Sequence, residues 1–366
     1  MKGTGFRFVL FILIGATHMS VQATSWIELR AYRAPHPLDW STPEKLVKST
    51  VANVLKKQPG WVIVDKSRLS QECVQLTKAL QDPYRSDWSA DFKKFLKAGC
   101  AQPNSAVSLH PISHVSIHYS CRGEAERLIS TTPRDTTLAR IRRFRPLIFG
   151  PGGFDFVFKT VPGRWHESEE LDRHYPLDLG LGQVHVARFL VPDEACENIK
   201  EFERHYRSLG LHQTYGSLIS DPFFCEAGGC SLLTRSLLRV AGLSSPLVDS
   251  LWQRRLSIPA VLPHFVDLLL RAHPDVQWGS SSATDRDIAF YDPELMADAI
   301  ENLAGQATLA DWHAHQLFVH EGFSGQRSVV AIIDAREENL AARAELPKFM
   351  ADCQNHLKER PKSGSL

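Results

Sequence analysis

The chain has 366 residues, 43% hydrophobic and 23% charged, with a formal net charge of +1. That composition suits one large domain or two ordinary ones with a substantial apolar core, and excludes a disordered chain. The near-neutral balance supplies no global field for nucleic acid or for a strongly acidic substrate.

In chain order, the first signal is one of export. Lys2 and Arg7 give a positive start, and "FVLFILIGA" (8–16) is an apolar run too short to cross a bilayer. "VQA" (21–23) resembles a small-residue cleavage site, so residues 1–23 are read as a signal peptide, with an uncleaved N-terminal anchor as the alternative. The expected location is the periplasm or cell envelope.

Residues 24–104 read as an N-terminal extension of strand and helix. "SWIELRAYRA" alternates like a strand, and "STPEKLVKSTVANVLKK" (41–57) has Thr42 as a cap and Pro43 at the first helical position. "PGWVIVDKS" gives a turn and a short strand, and 69–98 reads as two helical pieces broken near "DPYRSD". Strands dominate next. In "ISHVSIHYSC" (112–121), His114, Ser116 and His118 share one face, and Val115, Ile117 and Tyr119 the other. "AERLISTT" (125–132) reads as its hairpin partner, and "GQVHVARFLV" (182–191) as another strand.

"PDEACENIKEFERHYRSLG" (192–210) reads as a helix with an apolar stripe of Ala195, Ile199, Phe202 and Tyr206. A second amphipathic helix opens at Cys230 in "GGCSLLTRSLLRVAGL", with Gly242 as its stop. Residues 251–366 read as a mainly helical extension, including "SIPAVLPHFVDLLLRAH" and "PELMADAIENLAG", with a late strand at 327–335 and a charged helix over 336–358. The class is α+β.

Seven cysteines (Cys73, Cys100, Cys121, Cys196, Cys225, Cys230 and Cys353) in an oxidising compartment make three bridges and one free thiol an economical pattern. None has CxxC spacing, which argues against a zinc ribbon or thioredoxin motif. A catalytic thiol must ionise, be reachable and have oxyanion donors, and the start of a helix helps with all three. Gly228 and Gly229 permit a turn before Cys230, whose local pattern fits a nucleophile or a disulfide partner equally well. His114 and His118 stand out among 16 histidines by sharing a strand face. Four residues apart on a strand is roughly 13 Å, too far to share one zinc ion. No metal and no cofactor is expected. Arg140, Arg142, Arg143 and Arg145 read as a solvated face or a headgroup contact. Phe223, Phe224 and the Leu-rich 259–270 read as core or, less simply, as an acyl-chain pocket or membrane-facing patch.

Together, "SHVSIHYSC", later strands, a helix, Tyr215 and a cysteine opening a helix resemble the circularly permuted papain-like thiol enzymes, in which the histidine strand precedes the cysteine helix. Lecithin–retinol acyltransferase-like proteins are one branch. The chain is most similar to a bacterial branch represented by lipoprotein N-acyltransferases. That branch shows Gly-His and an apolar strand, here Ser113 to Ile117. A glycine-rich segment follows, here "FGPGGFDFVF", and then a strand leading into a helix, here "VHVARFLVPDEACENIKEF". It ends on Tyr, a spacer and Asn-Cys, here Tyr215 through Cys230. Two departures stand out: Gly229 replaces Asn, and Cys225 lies in a lengthened spacer.

The resemblance implies a permuted papain-like catalytic domain over 105–250, with Cys230 as nucleophile and His114 as base. His118 and Glu126 are candidates for the group that orients His114, and Gly229 and Ser231 for the oxyanion turn. It implies a membrane-associated, exported acyltransferase with a phospholipid donor and a lipoprotein N-terminal amine as acceptor. A thiol amidase or peptidase of cell-wall peptides, and a non-catalytic envelope binding module, are the rival expectations.

Overall fold

A computed structural model describes residues 24–359 apart from 42, 56–57, 65–69, 107–109, 111, 135–159, 167, 217–219, 260–284, 307, 310–311, 323–324, 339, 341–343 and 345. The signal-peptide segment, the Arg140–Arg145 cluster, the glycine-rich 149–158 and residues 260–270 of the Leu-rich stretch lie outside the described residues.

The chain opens with β1 (Trp26–Tyr32), α1 (Pro43–Leu55), β2 (Gln58–Ile63), α2 (Gln71–Ala79), α3 (Trp88–Lys97) and β3 (Ala101–Ala106). Next come β4 (His114–Ser120), β5 (Arg127–Ile129), β6 (Thr131–Pro133), β7 (Thr160–Trp165), α4 (Ser168–Gly180), β8 (Val184–Leu190), α5 (Asp193–Ser208) and β9 (Thr214–Gly216). Then follow α6 (Cys230–Val240), α7 (Pro246–Trp252), β10 (Gln253–Pro259), β11 (Asp285–Tyr291) and α8 (Pro293–Gln306). The last elements are β12 (Thr308–Leu309), β13 (Trp312–Glu321), β14 (Arg327–Asp334) and α9 (Leu346–Glu359).

The architecture is α+β, built on a seven-stranded sheet of order β12-β13-β14-β8-β1-β4-β5. Neighbours are antiparallel except β14 and β8. The segments expected as extensions supply strands to this same sheet: β1 lies between β4 and β8, and β14 pairs with β8. Among its described residues, the C-terminal segment thus supplies strands β10 to β14 beside helices, where mainly helix was expected. Residues 257–259, read as the start of a helix, belong to β10, which pairs with β11.

Helices cover both faces. On one, Ile27, Leu29, Val115, Ile117, Ala187 and Phe189 pack against α5 and α6 through Ile199, Phe202, Leu233 and Leu237, and against α8 through Met296 and Ile300. On the other, Tyr32, Val184, Val186 and Val330 pack against Phe92 and Phe95 of α3 and Tyr175 and Leu177 of α4. Burial of these side chains, about 1.5–3 kcal/mol each, drives the layering. The second face also carries a charged row. His118, Glu28 and Arg188 lie side by side across β4, β1 and β8. Glu28 is fully buried, with Tyr84 Oη donating at 2.5 Å and Arg188 Nη2 at 2.6 Å.

Helix α6 stops where expected. Gly242 has φ +78°, and a Cβ there would lie 2.2 Å from the Leu340 carbonyl oxygen, so only glycine fits. Among the described residues, no helix is long and apolar enough to cross a membrane.

Candidate functional site

Cys73 pairs with Cys100, Cys121 with Cys196 and Cys225 with Cys353. Cys230 is left as the free thiol. Cys225, the nearest cysteine in sequence, and Cys121, at the end of β4, are therefore both engaged elsewhere.

The approach to Cys230 is built from short-range bonds. Asp221 caps the 3-10 turn Pro222–Phe224 by accepting from the Phe223 N–H at 2.9 Å. Cys225 then adopts a left-handed conformation, φ 56°, and its disulfide ties this turn to α9. The Gly228 N–H donates to the Tyr206 hydroxyl of α5 at 3.3 Å. Gly228 is sterically tight, with an added Cβ 3.1 Å from both Leu232 Cβ and Pro222 Cγ. Gly229 differs: its φ is −68°, and nothing lies within 4 Å of an added Cβ. Neither conformation nor packing requires glycine at 229, and the open space beside it adjoins the thiol-bearing residue.

Cys230 is the first residue of α6, whose cap Gly229 offers no side-chain bond. The first-turn N–H groups therefore have no intrahelical partner. Burial pushes the thiol up; the backbone of Val115, the Tyr215 hydroxyl and the backbone of Ser231 and of Cys230 itself bond the sulfur and pull the other way, without overcoming burial. The Tyr215 hydroxyl lies 3.8 Å from Sγ. The resting group is thus a protonated thiol with thiolate-stabilising donors already in place, which calls for a base. Ser231, expected in the oxyanion turn, bonds the Cys230 sulfur through its backbone, and its side chain is buried.

His114 begins β4, immediately before the Val115 whose backbone bonds the sulfur. Its Nε2 lies 2.8 Å from Ser130 Oγ. Its ring stacks on His110 at 5.1 Å and 10°. Strand alternation puts Val115 on the α6 face and His114 on the other, opposite Tyr32. β5 pairs with β4 only from Ile117 to Tyr119, so β4 is unpaired by β5 at Val115. The sulfur thus lies against the backbone of Val115, the residue next to His114, at the end of β4 that β5 does not pair.

The expected orienting groups, His118 and Glu126, are bonded to each other. His118 Nδ1 is bonded to Glu126 Oε1 at 3.1 Å, and His118 faces the buried Glu28 row. Ser130 is a hydrogen-bond partner of His114. Ser130 and Tyr215 are the residues that sequence reasoning left without a role. In the sequence Tyr215 is only a landmark before the cysteine. Ser130 lies in the predicted hairpin return, but no local pattern shows that β5 leaves β4 there.

Comparison of the chain with family models, curated proteins and solved structures finds no match. The site therefore rests on its own geometry. Among the described residues, no group of three or more His, Cys, Asp or Glu side chains is arranged to hold a metal ion. Phe223 is core, with Arg239 over its ring at 3.8 Å. Phe224 is 46% exposed, as are Leu247 at 52% and Leu251 at 43% on α7.

Proposed function

We propose that the protein is a thiol-dependent acyltransferase of the cell envelope, with Cys230 as nucleophile and His114 as base. The observation that carries this reading is the state of Cys230. It is free in a chain whose other cysteines are all bridged, and it opens a buried helix with hydroxyl and backbone donors on its sulfur. A merely structural thiol needs no such donors.

In the first half-reaction, His114 takes the Cys230 proton and the sulfur attacks an ester carbonyl. In this reading the Ser231 and Cys230 N–H groups and the Tyr215 hydroxyl, which bond the resting sulfur, donate to the oxyanion. The C–O bond breaks, His114 returns the proton to the departing alcohol, and a thioester remains. In the second, an amine attacks the thioester, a C–N bond forms, the C–S bond breaks, and the amine's proton passes through His114 to the sulfur. The order of β4 before α6, and the packing of α6 on β4, support a permuted papain-like arrangement. The resemblance makes the donor a membrane phospholipid and the acceptor the N-terminal amine of a lipoprotein. Exposed Phe224, Leu247 and Leu251 agree with work at a lipid surface.

The test is a chase. Acyl-enzyme formed on the full chain is mixed with a diacylated Cys-peptide bearing a free amine, or with buffer alone. Transfer to the amine much faster than release to water supports the acyltransferase. Release to water at the same rate in both arms would make the protein a hydrolase.

A further inference from the structure

Directly before His114 the backbone passes through a left-handed conformation. Ser113 has φ +64°, a region that is unfavourable for any residue with a Cβ and that persists only where surrounding bonds enforce it. Those bonds are present. The Ser113 N–H donates to the His110 carbonyl at 3.2 Å. Its Oγ accepts from the Ala34 N–H at 3.0 Å and donates to Glu294 Oε1 at 3.2 Å. The same carboxylate oxygen accepts from the Leu38 N–H at 3.3 Å. Ser113 and Glu294 are both buried, at 4% and 8% exposure.

Three separate parts of the chain meet at this point: the loop after β1, the start of β4 and the first turn of α8. None is needed to form the sheet, whose register begins only at His114. What their meeting fixes is the direction in which the chain enters β4, and so the direction in which the His114 ring leaves it. We propose that Ser113 and Glu294 form a buried positioning pair that holds the His114 imidazole at the open end of β4, where it can serve Cys230. This inference rests on the reading of His114 as the base of Cys230.

The surroundings of Glu294 couple the pair to pH. Burial and then the neighbouring Asp292 push its carboxyl up to about 7, against the Leu38 N–H, the Ser113 hydroxyl and Arg254. Asp292 accepts from the Glu294 N–H at 2.9 Å and is bonded by Arg254 at 2.5 Å. Asp298, further along α8, pairs with Arg33 at 2.6 Å. The carboxylate therefore accepts the Ser113 hydroxyl fully above neutrality and is protonated below it.

The test reads the rate of Cys230 alkylation by iodoacetamide against pH in the full chain, with fold checked by circular dichroism. His114→Ala is expected to remove the histidine-dependent limb of the profile. Ser113→Gly suits the left-handed backbone and so folds, but loses both Oγ bonds. It is expected to slow alkylation at neutral pH about tenfold, as is Glu294→Ala. Glu294→Gln keeps an acceptor oxygen but cannot titrate. It is expected to stay within about threefold of wild type and to lose the inflection near pH 7. If His114→Ala leaves the profile unchanged, the base assignment fails and the positioning pair with it. If His114→Ala changes the profile while Ser113→Gly and Glu294→Ala match wild type, the positioning pair alone is overturned.

Discussion

Replacing Tyr215 with phenylalanine isolates one bond at the candidate nucleophile. The hydroxyl sits 3.8 Å from the Cys230 sulfur and favours the thiolate, while burial opposes it. A hydrogen bond to a charged group contributes about 1.5–3 kcal/mol. Sulfur is a weak acceptor, so the lower end applies. About 1.5 kcal/mol is about tenfold in thiolate fraction below the titration midpoint. A more basic thiolate is also more nucleophilic, by about threefold for that change. The net expectation for Tyr215→Phe is about threefold slower alkylation at neutral pH, a midpoint moved upward, and a faster plateau at high pH. Stopped-flow alkylation across the pH range gives all three. A midpoint that stays put or moves down would show that the hydroxyl does not serve the sulfur.

Other outcomes follow from the scaffold. For Glu28, burial alone would raise the carboxyl, but Arg188, Arg30 and His118 hold it well below the ordinary value. Its contribution to stability is therefore full above the unfolded carboxylate's titration and is lost as pH falls from about 5. Glu28→Gln should cost about 3–5 kcal/mol in urea unfolding at neutral pH, because the buried Arg30 and the partly buried Arg188 lose their shared carboxylate, and should flatten the acid dependence; a loss below about 1 kcal/mol contradicts this. Gly228→Ala should cost about 1–3 kcal/mol from overpacking. Gly229→Ala should change stability by less than about 0.5 kcal/mol, and equal costs would refute the difference drawn between them. Removing the Cys225–Cys353 bridge with a double serine variant should cost about 4 kcal/mol and speed proteolysis within α9. Unaltered proteolysis would mean that packing alone holds that helix.

Much of the frame was legible in the sequence because it obeys simple periodicities. Alternation marked β1, β4 and β8, and the stripes and stops of α5 and α6 were written in Phe202, Tyr206, Leu233 and Gly242. Helix α4 was not legible, since Pro176 sits inside it and proline normally argues against a helix interior. Strand β13 escaped because its burial does not alternate. The spatial order of strands was also hidden: nothing local shows that β1 separates β4 from β8. At the site, the cysteine count implied a free thiol but not which one. Alternation alone set His114 and Val115 on opposite faces. Only the packing of α6 decides which face holds the thiol, and only the departure of β5 after Ile129 leaves the backbone of Val115 to the sulfur. The His118–Glu126 bond is not legible in the sequence, because it depends on how the 121–126 turn folds back beside β4.

The claim that Cys230 carries the acyl group is tested most directly by intact-protein mass spectrometry. The full chain is incubated with phospholipid vesicles and quenched in acid. The account predicts one added acyl mass, located on the peptide containing Cys230, removed by hydroxylamine and missing from Cys230→Ala. No adduct on the wild-type chain, or an undiminished adduct on Cys230→Ala, would contradict it.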